Sequence, residues 1–483
     1  MAKNVIEEID ALFHPHRIAA FGVSATAGKL GNLLLQSFID IGFQGELIPV
    51  HPTAAEIMGL KAYPNLDTYG NSIDLAIISV HPSKVFDAIK ECVEREAKGI
   101  VVFSSGFSEQ GPEGKKLEEE IVEYARSRGT RIIGPNCMGL YSPANKISFF
   151  PKLPSETTGE VGFISQSGSL SVNLAFDAAL RGIYFSKMIS VGNGSDLNLI
   201  DFLEYLGWDP QTKIIACYVE GIKDGQRFLK VAREVSKKKP IIMWKVGETA
   251  GGKRAAHSHT GSIGGDSMLW NKITDQAGIL RVQNLTELIE HIALIQGPYL
   301  PKGNRVVILS GPGGPAVSSA DACEKGGLVL APLLDETRQA LAQILPEYGT
   351  SVANPVDLSL ASALNTALHH QAGEIVGKDP NVDMLLFFIS VLPKSVIKGL
   401  VKIQEQIKKP MAIICPIDLL TSWESPIANH LKNLFEPLDP KKAPEYLQKL
   451  NQNGISVYLT EQNAVKALAS LWKYQQFLQQ GPG

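Results

Sequence analysis

The residues best suited to chemistry in this sequence are two histidines among glycines and small hydroxyl residues. His257 and His259 lie within residues 255–265, which contain too few apolar side chains to form a core. The glycines favour a loop. An imidazole can accept a phosphoryl group at neutral pH, and a histidine on a loop could carry that group between two sites too far apart for direct transfer. A surface loop whose histidines have no chemical role is the alternative.

A short polar loop and a glutamate could assist such a histidine. Gln166, Ser167 and Gly168 follow a buried apolar run and precede a helical pattern, so they suit a single phosphoryl group resting on a helix N-terminus. Glu220 stands at the end of another buried run, where its carboxylate could orient an imidazole through the second ring nitrogen. The alternatives for Glu220 are a cap or a surface ion pair.

A longer loop of glycines and hydroxyls follows the first predicted strand. Residues 22–31 offer backbone N–H groups, a helix start and Lys29, which together suit a phosphate or pyrophosphate. The spacing is not Gly-x-Gly-x-x-Gly, and His51 and Pro52 rather than an acid end the second strand. A nicotinamide dinucleotide is therefore disfavoured, and another nucleotide-like ligand is expected. The loops at the strand ends are expected to form one crevice, with tight turns as the alternative.

The composition argues against several classes of protein. The 483 residues are 44% hydrophobic and 20% charged with a net charge of −3, which is ordinary for a globular protein and disfavours nucleic acid as the main partner. No membrane span and no signal peptide are expected, because the apolar runs are too short. The five cysteines are scattered without metal or redox spacing and are expected to be buried thiols in a reducing cytoplasm.

Alternating apolar runs and helical patterns predict an α/β protein of three consecutive doubly wound domains. The domains are expected at residues 1–150, 151–298 and 299–483, with a linker rich in proline and hydroxyls at 150–159. The expected strands are 17–22, 46–50, 74–80, 99–103, 131–133, 161–165, 214–219, 240–246, 305–310, 382–389 and 410–416.

Six motifs occur in the order seen in the NDP-forming acyl-CoA synthetases, and the chain resembles that family over nearly its whole length. The family includes ADP-forming acetyl-CoA synthetase and, more distantly, the α subunit of succinyl-CoA synthetase. Residues 310–315 and 354–358 are also similar to the third domain of that α subunit. The six motifs are Phe21-Gly22-Val23-Ser24, Gly28-Lys29-Leu30-Gly31-Asn32, Gly134-Pro135-Asn136, Ser165-Gln166-Ser167-Gly168, Tyr218-Val219-Glu220-Gly221 and Ser258-His259-Thr260-Gly261-Ser262.

The resemblance implies a reversible conversion of acyl-CoA, ADP and phosphate into a carboxylic acid, ATP and CoA. His259 matches the histidine that is phosphorylated, and Glu220 matches the glutamate that steadies it. The first domain would be a Rossmann-like CoA-binding domain and the next two would be flavodoxin-like; no metal site is implied. The implied phosphate ligands are Gln166, Ser167, Gly168, Gly192, Asn193, Thr260, Gly261 and Ser262. The implied CoA-binding residues are Gly22, Ser24, Lys29, Leu30, Gly31, His51, Pro52, Pro82, Ser105, Gly106 and Asn136.

The resemblance also implies a partner, because this sequence lacks the ATP-grasp domains that hold ADP in the family. The chain would be an α subunit in a cytoplasmic hetero-oligomer with an ATP-grasp β subunit, which would hold ADP or ATP and Mg²⁺. Its other partners would be acyl-CoA, phosphate and a small carboxylic acid, with no nucleic acid and no membrane. The alternative is a non-catalytic CoA-binding or regulatory protein of the same fold. A nicotinamide-dependent oxidoreductase would have a suitable sheet but not this loop.

Overall fold

The computed structural model describes residues 5–26, 28–254, 267–359, 366–390, 392–416 and 440–480. The chain divides into two compact units, one comprising Met1–Phe176 and Tyr184–Gln283, the other Asp177–Ile183 and Asn284–Gly483. The predicted α/β class is confirmed, since the described part contains three main sheets of largely parallel strands, two in the first unit and one in the second.

Short aliphatic and β-branched runs form the first sheet, as expected for parallel strands covered on both faces. Its helices are α1 (Val5–Leu12), α2 (Leu30–Asp40), α3 (Leu66–Tyr69), α4 (Pro82–Glu94) and α5 (Pro112–Arg126), with a 3₁₀ turn at Ser108–Gln110. Its strands are β1 (Arg17–Phe21), β2 (Glu46–Val50), β5 (Leu75–Ile78), β6 (Gly99–Val102) and β7 (Arg131–Ile133), with a hairpin of β3 (Glu56–Ile57) and β4 (Leu60–Lys61).

The parallel strands of this sheet run in the order β2-β1-β5-β6-β7. The order of strand addition reverses between β1 and β5. Ligands of doubly wound sheets bind outside the carboxyl ends of the strands at such a point, so the loop after β1 is well placed for one.

The second sheet has the same order of parallel strands and one additional antiparallel edge strand. Its helices are α6 (Gly168–Leu180), α7 (Leu199–Trp208), α8 (Gly225–Ser236) and α9 (Ser267–Gln276), and residues 250–254 are also helical. Its strands are β8 (Gly139–Tyr141), β9 (Val161–Ser165), β10 (Phe185–Ser190), β11 (Ile214–Val219), β12 (Ile241–Lys245) and β13 (Leu280–Val282). They run in the order β13-β12-β11-β9-β10-β8, and β8 pairs antiparallel with β10.

The third sheet lies in the second unit and repeats this order. Its helices are α10 (Leu285–Ile295), α11 (Gly313–Lys325), α12 (Asp335–Ile344), α13 (Thr366–Lys378), α14 (Lys394–Ile407), α15 (Ala443–Gln452) and α16 (Glu461–Gln479), with a 3₁₀ turn at Pro440–Lys442. Its strands are β14 (Arg305–Ser310), β15 (Val329–Leu330), β16 (Val356–Asp357), β17 (Met384–Phe388), β18 (Met411–Ile414) and β19 (Ile455–Tyr458). The order is β15-β14-β17-β18-β19, with β16 beside β14.

The first two sheets share one continuous apolar core. Phe13 on α1 stacks on Tyr205 of α7 with ring centroids 5.5 Å apart, and the Tyr205 hydroxyl donates to Asp10 at 2.9 Å. Arg131 at the start of β7 donates to both carboxylate oxygens of Asp196, at 2.9 and 2.7 Å. These contacts join the first and second sheets. All five cysteines are buried, as expected.

Candidate active site

A cleft of about 390 Å³ lies between the loops of the first and second sheets. It is lined by residues of both implied groups, the CoA-binding residues and the phosphate ligands. Such a concave site with several polar groups is typical of ligand binding. The residues of the two groups that line it are Leu30, Pro82, Ser105, Asn136, Gln166, Ser167 and Gly168.

The loop after β1 is held close to its own helix and to the neighbouring strand. Gly22 has φ +85°, and a Cβ on Gly31 would lie 2.2 Å from the Gly22 carbonyl oxygen, so both positions require glycine. The Asn32 side chain closes the loop, because its Oδ1 accepts from the Ser24 N–H and its Nδ2 donates to the Ser24 carbonyl, both at 2.8 Å. Lys29, just before α2, is exposed.

Several implied CoA-binding residues have other contacts and do not line the cleft. The His51 imidazole accepts from the backbone N–H groups of Thr53 and Ala54 at 3.3 and 3.0 Å, which makes it part of a local turn. Gly106 donates its N–H to Glu109 at 2.6 Å. The implied residues outside the cleft lining are Gly22, Ser24, Lys29, Gly31, His51, Pro52 and Gly106 among the CoA-binding group, and Gly192 and Asn193 among the phosphate ligands.

Asn193 belongs to a buried polar cluster that joins the first two sheets. Its Nδ2 donates to Glu109 at 2.7 Å and to Glu118 at 2.8 Å, and Glu118 also accepts from the Ser195 hydroxyl. Burial alone would raise the pKa of Glu109, but the hydrogen bonds from Asn193 and the Gly106 N–H hold it below its ordinary value. Asn193 thus connects the 106–109 loop to the 191–195 loop rather than facing the cleft.

The helix α6 starts at the cleft, and the loop before it is held by hydrogen bonds between its own residues. The Ser165 hydroxyl donates to the Ser167 carbonyl at 2.8 Å, and the Ser167 N–H donates back to the Ser165 Oγ at 3.0 Å. Gly168 and Ser169 begin the helix and line the cleft. Backbone N–H groups at a helix start attract anions, so this end of the cleft suits a phosphoryl group.

Glu220 lies one residue beyond β11, is 4% exposed, and is held by three neighbours. The Gln166 Oε1 accepts from the N–H groups of Glu220 and Gly221 at 2.5 and 3.0 Å. The Lys245 ammonium donates to the Glu220 carbonyl at 2.8 Å. Burial, together with the negative charge and the side chain of Glu220, raises the pKa of Tyr218 to about 12. Glu220 is therefore joined to the cleft through Gln166.

The remaining implied site residues, His259, Thr260, Gly261 and Ser262, lie outside the described residues, as does His257. Across the described ranges, no group of three or more His, Cys, Asp or Glu side chains is arranged to hold a metal ion. None of the helices within those ranges is both long and apolar enough to cross a membrane.

Seven residues that line the cleft are not among the implied ligands, although the loops containing Val80, Ser104 and Cys137 were expected to form the crevice. Ser79 and Phe103 lie at the ends of predicted strands, and Ser169 follows the implied phosphate ligands. Met138 carries no such signal, because it enters the cleft from the segment leading into β8, which was not predicted as a strand. The seven residues are Ser79, Val80, Phe103, Ser104, Cys137, Met138 and Ser169.

Comparisons with known proteins agree with this architecture. A sequence model of a CoA binding domain matches residues 16–143, and one of a succinyl-CoA ligase like flavodoxin domain matches residues 158–295. The chain is 36% identical to the acetate–CoA ligase (ADP-forming) II subunit alpha of Pyrococcus furiosus, over 96% of this chain and 97% of that one. It is also 36% identical to acetate–CoA ligase (ADP-forming) I of Archaeoglobus fulgidus, over 96% of this chain and 64% of that protein.

A solved structure has the same fold over almost the whole chain. It is the dinucleotide forming acetyl-coenzyme A synthetase 1 of Ca. Korarchaeum cryptofilum in complex with phosphate and ADP, with 31% identity and a TM-score of 0.83 over 98% of this chain and 99% of that one. The non-catalytic alternative is not supported, since the named relatives are ligases. The chain belongs to the family of ADP-forming acetate–CoA ligases, which are acid–thiol ligases, and it is a homologue of their alpha subunits.

Proposed function

We propose that this chain carries the acyl and phosphohistidine half of an ADP-forming acyl-CoA ligase. The overall reaction converts acyl-CoA, ADP and phosphate into a carboxylic acid, ATP and CoA, and it is reversible. The observation that carries the proposal is the shared cleft, where loops of the first sheet meet the start of α6 and Gln166 links that loop to Glu220. A thioester and a phosphate could therefore meet at one place.

Two transfers on this chain account for the chemistry. A phosphate oxygen attacks the thioester carbonyl, the C–S bond breaks, and CoA leaves as a thiol after taking a proton. The resulting acyl phosphate then gives its phosphoryl group to a ring nitrogen of His259, and the carboxylate leaves as the P–O bond breaks. The thioester's free energy is thereby kept in a phosphorus–nitrogen bond that can phosphorylate ADP.

The first sheet is the proposed site for CoA. Its cleft-lining residues combine apolar surface, such as Leu30 and Pro82, with the polar groups of Ser105 and Asn136. This mixture suits a ligand with an apolar arm and a polar head. The matching CoA binding domain at residues 16–143 supports the assignment. Acetate, named in several relatives, is the proposed acyl group, and other small carboxylic acids are the alternatives.

The nucleotide step is proposed to occur on a separate ATP-grasp β subunit that holds ADP or ATP and Mg²⁺. Two relatives that the chain matches almost end to end are named as alpha subunits, whereas it spans 64% of the Archaeoglobus fulgidus ligase. A cytoplasmic hetero-oligomer fits the buried thiols. We retain a division into three domains at residues 1–150, 151–298 and 299–483, in line with the three sheets, although β8 of residues 139–141 pairs in the second sheet and the main part of the second unit begins at Asn284. Recovery of the native chain without any partner would contradict the two-subunit proposal.

Labelling the histidine tests the proposal directly. Incubation with acetyl-CoA and ³²P-phosphate should yield an acid-labile, base-stable label on this chain. The label should be lost in His259→Ala and retained in His257→Ala. Glu220→Gln should lower its rate of formation by about 10- to 1000-fold, the span for one orienting or electrostatic partner. A label that persists in His259→Ala would overturn the residue assignment, and no label under any condition would overturn the function.

A further inference from the structure

The Gln166 side chain is committed to the backbone beside Glu220. Its Oε1 accepts two N–H groups, those of Glu220 and Gly221, and its Nε2 donates to the Gly221 carbonyl at 3.1 Å. Only the amide nitrogen could donate to a phosphate, and one of its two N–H groups is used here. The amide makes three hydrogen bonds with the backbone of residues 220–221. This side chain is therefore arranged to hold a turn rather than to bind an anion.

Lys245 holds the same turn from the neighbouring strand. It ends β12, which pairs in parallel with β11, and its ammonium donates to the Glu220 carbonyl at 2.8 Å and to the Val246 carbonyl. Burial lowers the pKa of Lys245, although the carboxylates of Glu248 and Glu220 oppose that shift. The N–H and the C=O of Glu220 are thus each bonded to a different side chain, which leaves its backbone little freedom to rotate.

Tyr218 interacts with the carboxylate of Glu220 rather than with its backbone. It precedes Glu220 by two residues, near the end of β11. Its half-buried hydroxyl keeps its proton at neutral pH, because burial and its interaction with the Glu220 side chain raise the pKa of Tyr218 to about 12. The ring is packed edge-on against Trp244 with centroids 5.0 Å apart and planes at 79°. A carboxylate has about four acceptor positions and can therefore accept more than one hydrogen bond.

We infer that Gln166, Lys245 and Tyr218 are positioning residues that together fix Glu220 for its imidazole partner, and that Gln166 is not a ligand of phosphate. This inference rests on the proposed function, in which Glu220 steadies the phosphorylated histidine. A group that is already oriented stabilises a developing charge without reorganising during the reaction. Loss of a positioning residue should therefore slow the phosphoryl transfer while leaving the binding of phosphate and CoA unchanged.

Two variants test the inference in the native protein purified with any subunit that accompanies it. Gln166→Ala removes the three bonds to the turn, and Tyr218→Phe removes a single oxygen atom. The rate of ³²P labelling at saturating acetyl-CoA should fall about 10- to 100-fold in Gln166→Ala, the range for groups that orient a catalytic residue, and about 10-fold in Tyr218→Phe. The phosphate concentration giving half the maximal rate should stay the same in both.

Controls separate this inference from the proposed function. Tyr205→Phe removes a buried tyrosine hydroxyl that also donates to a carboxylate, that of Asp10, and it should label at the parent rate. If the parent protein labels but Gln166→Ala and Tyr218→Phe label equally fast, the positioning inference is wrong and the function stands. If Gln166→Ala instead raises the half-saturating phosphate concentration at an unchanged maximal rate, Gln166 is a phosphate ligand. A parent protein that never labels overturns both.

Discussion

The loops that open the second and third sheets share their backbone plan and differ in their charge. The strand β9 of the second sheet ends in Ser165, and the strand β14 of the third sheet ends in Ser310. Both serines are fully buried, and in each sheet a helix begins three residues later. The Ser165 hydroxyl donates to the Ser167 carbonyl at 2.8 Å, and the Ser310 hydroxyl donates to the Pro312 carbonyl at 2.7 Å. The same strand-to-helix connection is thus built twice.

The side chains around these connections are different. Pro312 has no N–H to return to its serine, and Gly311 stands where Gln166 stands in the second sheet, so the third loop has no side chain that could hold a neighbouring turn. An Asp357 oxygen lies 3.1 Å from the position of a Cβ on Gly313, at the start of α11. A carboxylate there interacts favourably with the helix start and would repel a phosphate. The shared connection therefore permits an anion site, and the nearby side chains decide whether one exists.

Moving a carboxylate into the second loop should have the largest effect. Ser167→Asp places a negative charge at the start of α6, while aspartate also caps helices well, so the helix should remain stable. The repulsion of the phosphoryl group should lower the rate of His259 labelling by about 100- to 1000-fold, as loss of an oxyanion-binding group does. Rapid-quench measurement of the ³²P label checks this.

The matched control adds the same charge to the third loop. A Cβ on Gly314 would have no atom within 4 Å, so Gly314→Asp should fold normally and label at the parent rate. Equal rates in Ser167→Asp and the parent would mean that the phosphoryl group does not rest on the start of α6, and the contrast between the loops would have no functional meaning.

The loop after β1 differs from the third loop in how closely its helix is packed. Gly31 and Gly314 are both the second residue of a helix, but a Cβ on Gly31 would meet the Gly22 carbonyl oxygen at 2.2 Å, whereas Gly314 faces open space. Gly31→Ala should therefore destabilise the protein by about 1–3 kcal/mol, and Gly314→Ala should change stability by less than about 1 kcal/mol. Urea unfolding followed by tryptophan fluorescence checks both. Similar midpoints for the two variants would contradict the close approach of α2 to the loop after β1.

Local periodicity was enough to predict most of the strands that position the site. The expected strands at 46–50, 131–133, 161–165, 214–219 and 305–310 are confirmed at their predicted bounds, because short apolar runs between helical patterns are typical of buried parallel strands. The strand β8 was missed, since three residues carry no periodicity and its pairing with β10 depends on a distant segment. The contacts of Asn193 with Glu109 and Glu118 were missed for the same reason.

Residue roles within the loops were harder to predict than the loops themselves. The motif containing Gln166 indicated a phosphate site, yet its side chain bonds to the backbone of residues 220–221, which is more than 50 positions away in sequence. That His51 contacts CoA stays a prediction, and the fold shows that its imidazole also closes a turn with the next three residues. Residue type and spacing identify a polar loop, whereas the direction of each side chain depends on partners that only the folded chain brings near.

Two adjacent buried groups on α10 change the stability of the third sheet's unit with pH in opposite directions. Burial lowers the pKa of His291 from 6.5 to about 4, so the unfolded chain binds a proton that the folded one does not, and stability falls as pH drops from 6.5. Burial raises the pKa of Glu290 from 4.5 to about 7, although Arg181 and Asn463 oppose it, so stability rises as pH drops from 7. Each effect amounts to about 2 kcal/mol between pH 7 and pH 5.

Because the effects of Glu290 and His291 nearly cancel each other, single variants are needed to separate them. Between pH 7 and pH 5, His291→Gln should lose about 2 kcal/mol less unfolding free energy than the parent, and Glu290→Gln should lose about 2 kcal/mol more. The comparison uses differences in pH dependence, so any constant cost of either substitution drops out. Urea unfolding at the two pH values measures both. Parallel pH profiles for the parent and the two variants would mean that these side chains are hydrated in the folded protein, and the third sheet's core would then be more open than its burial indicates.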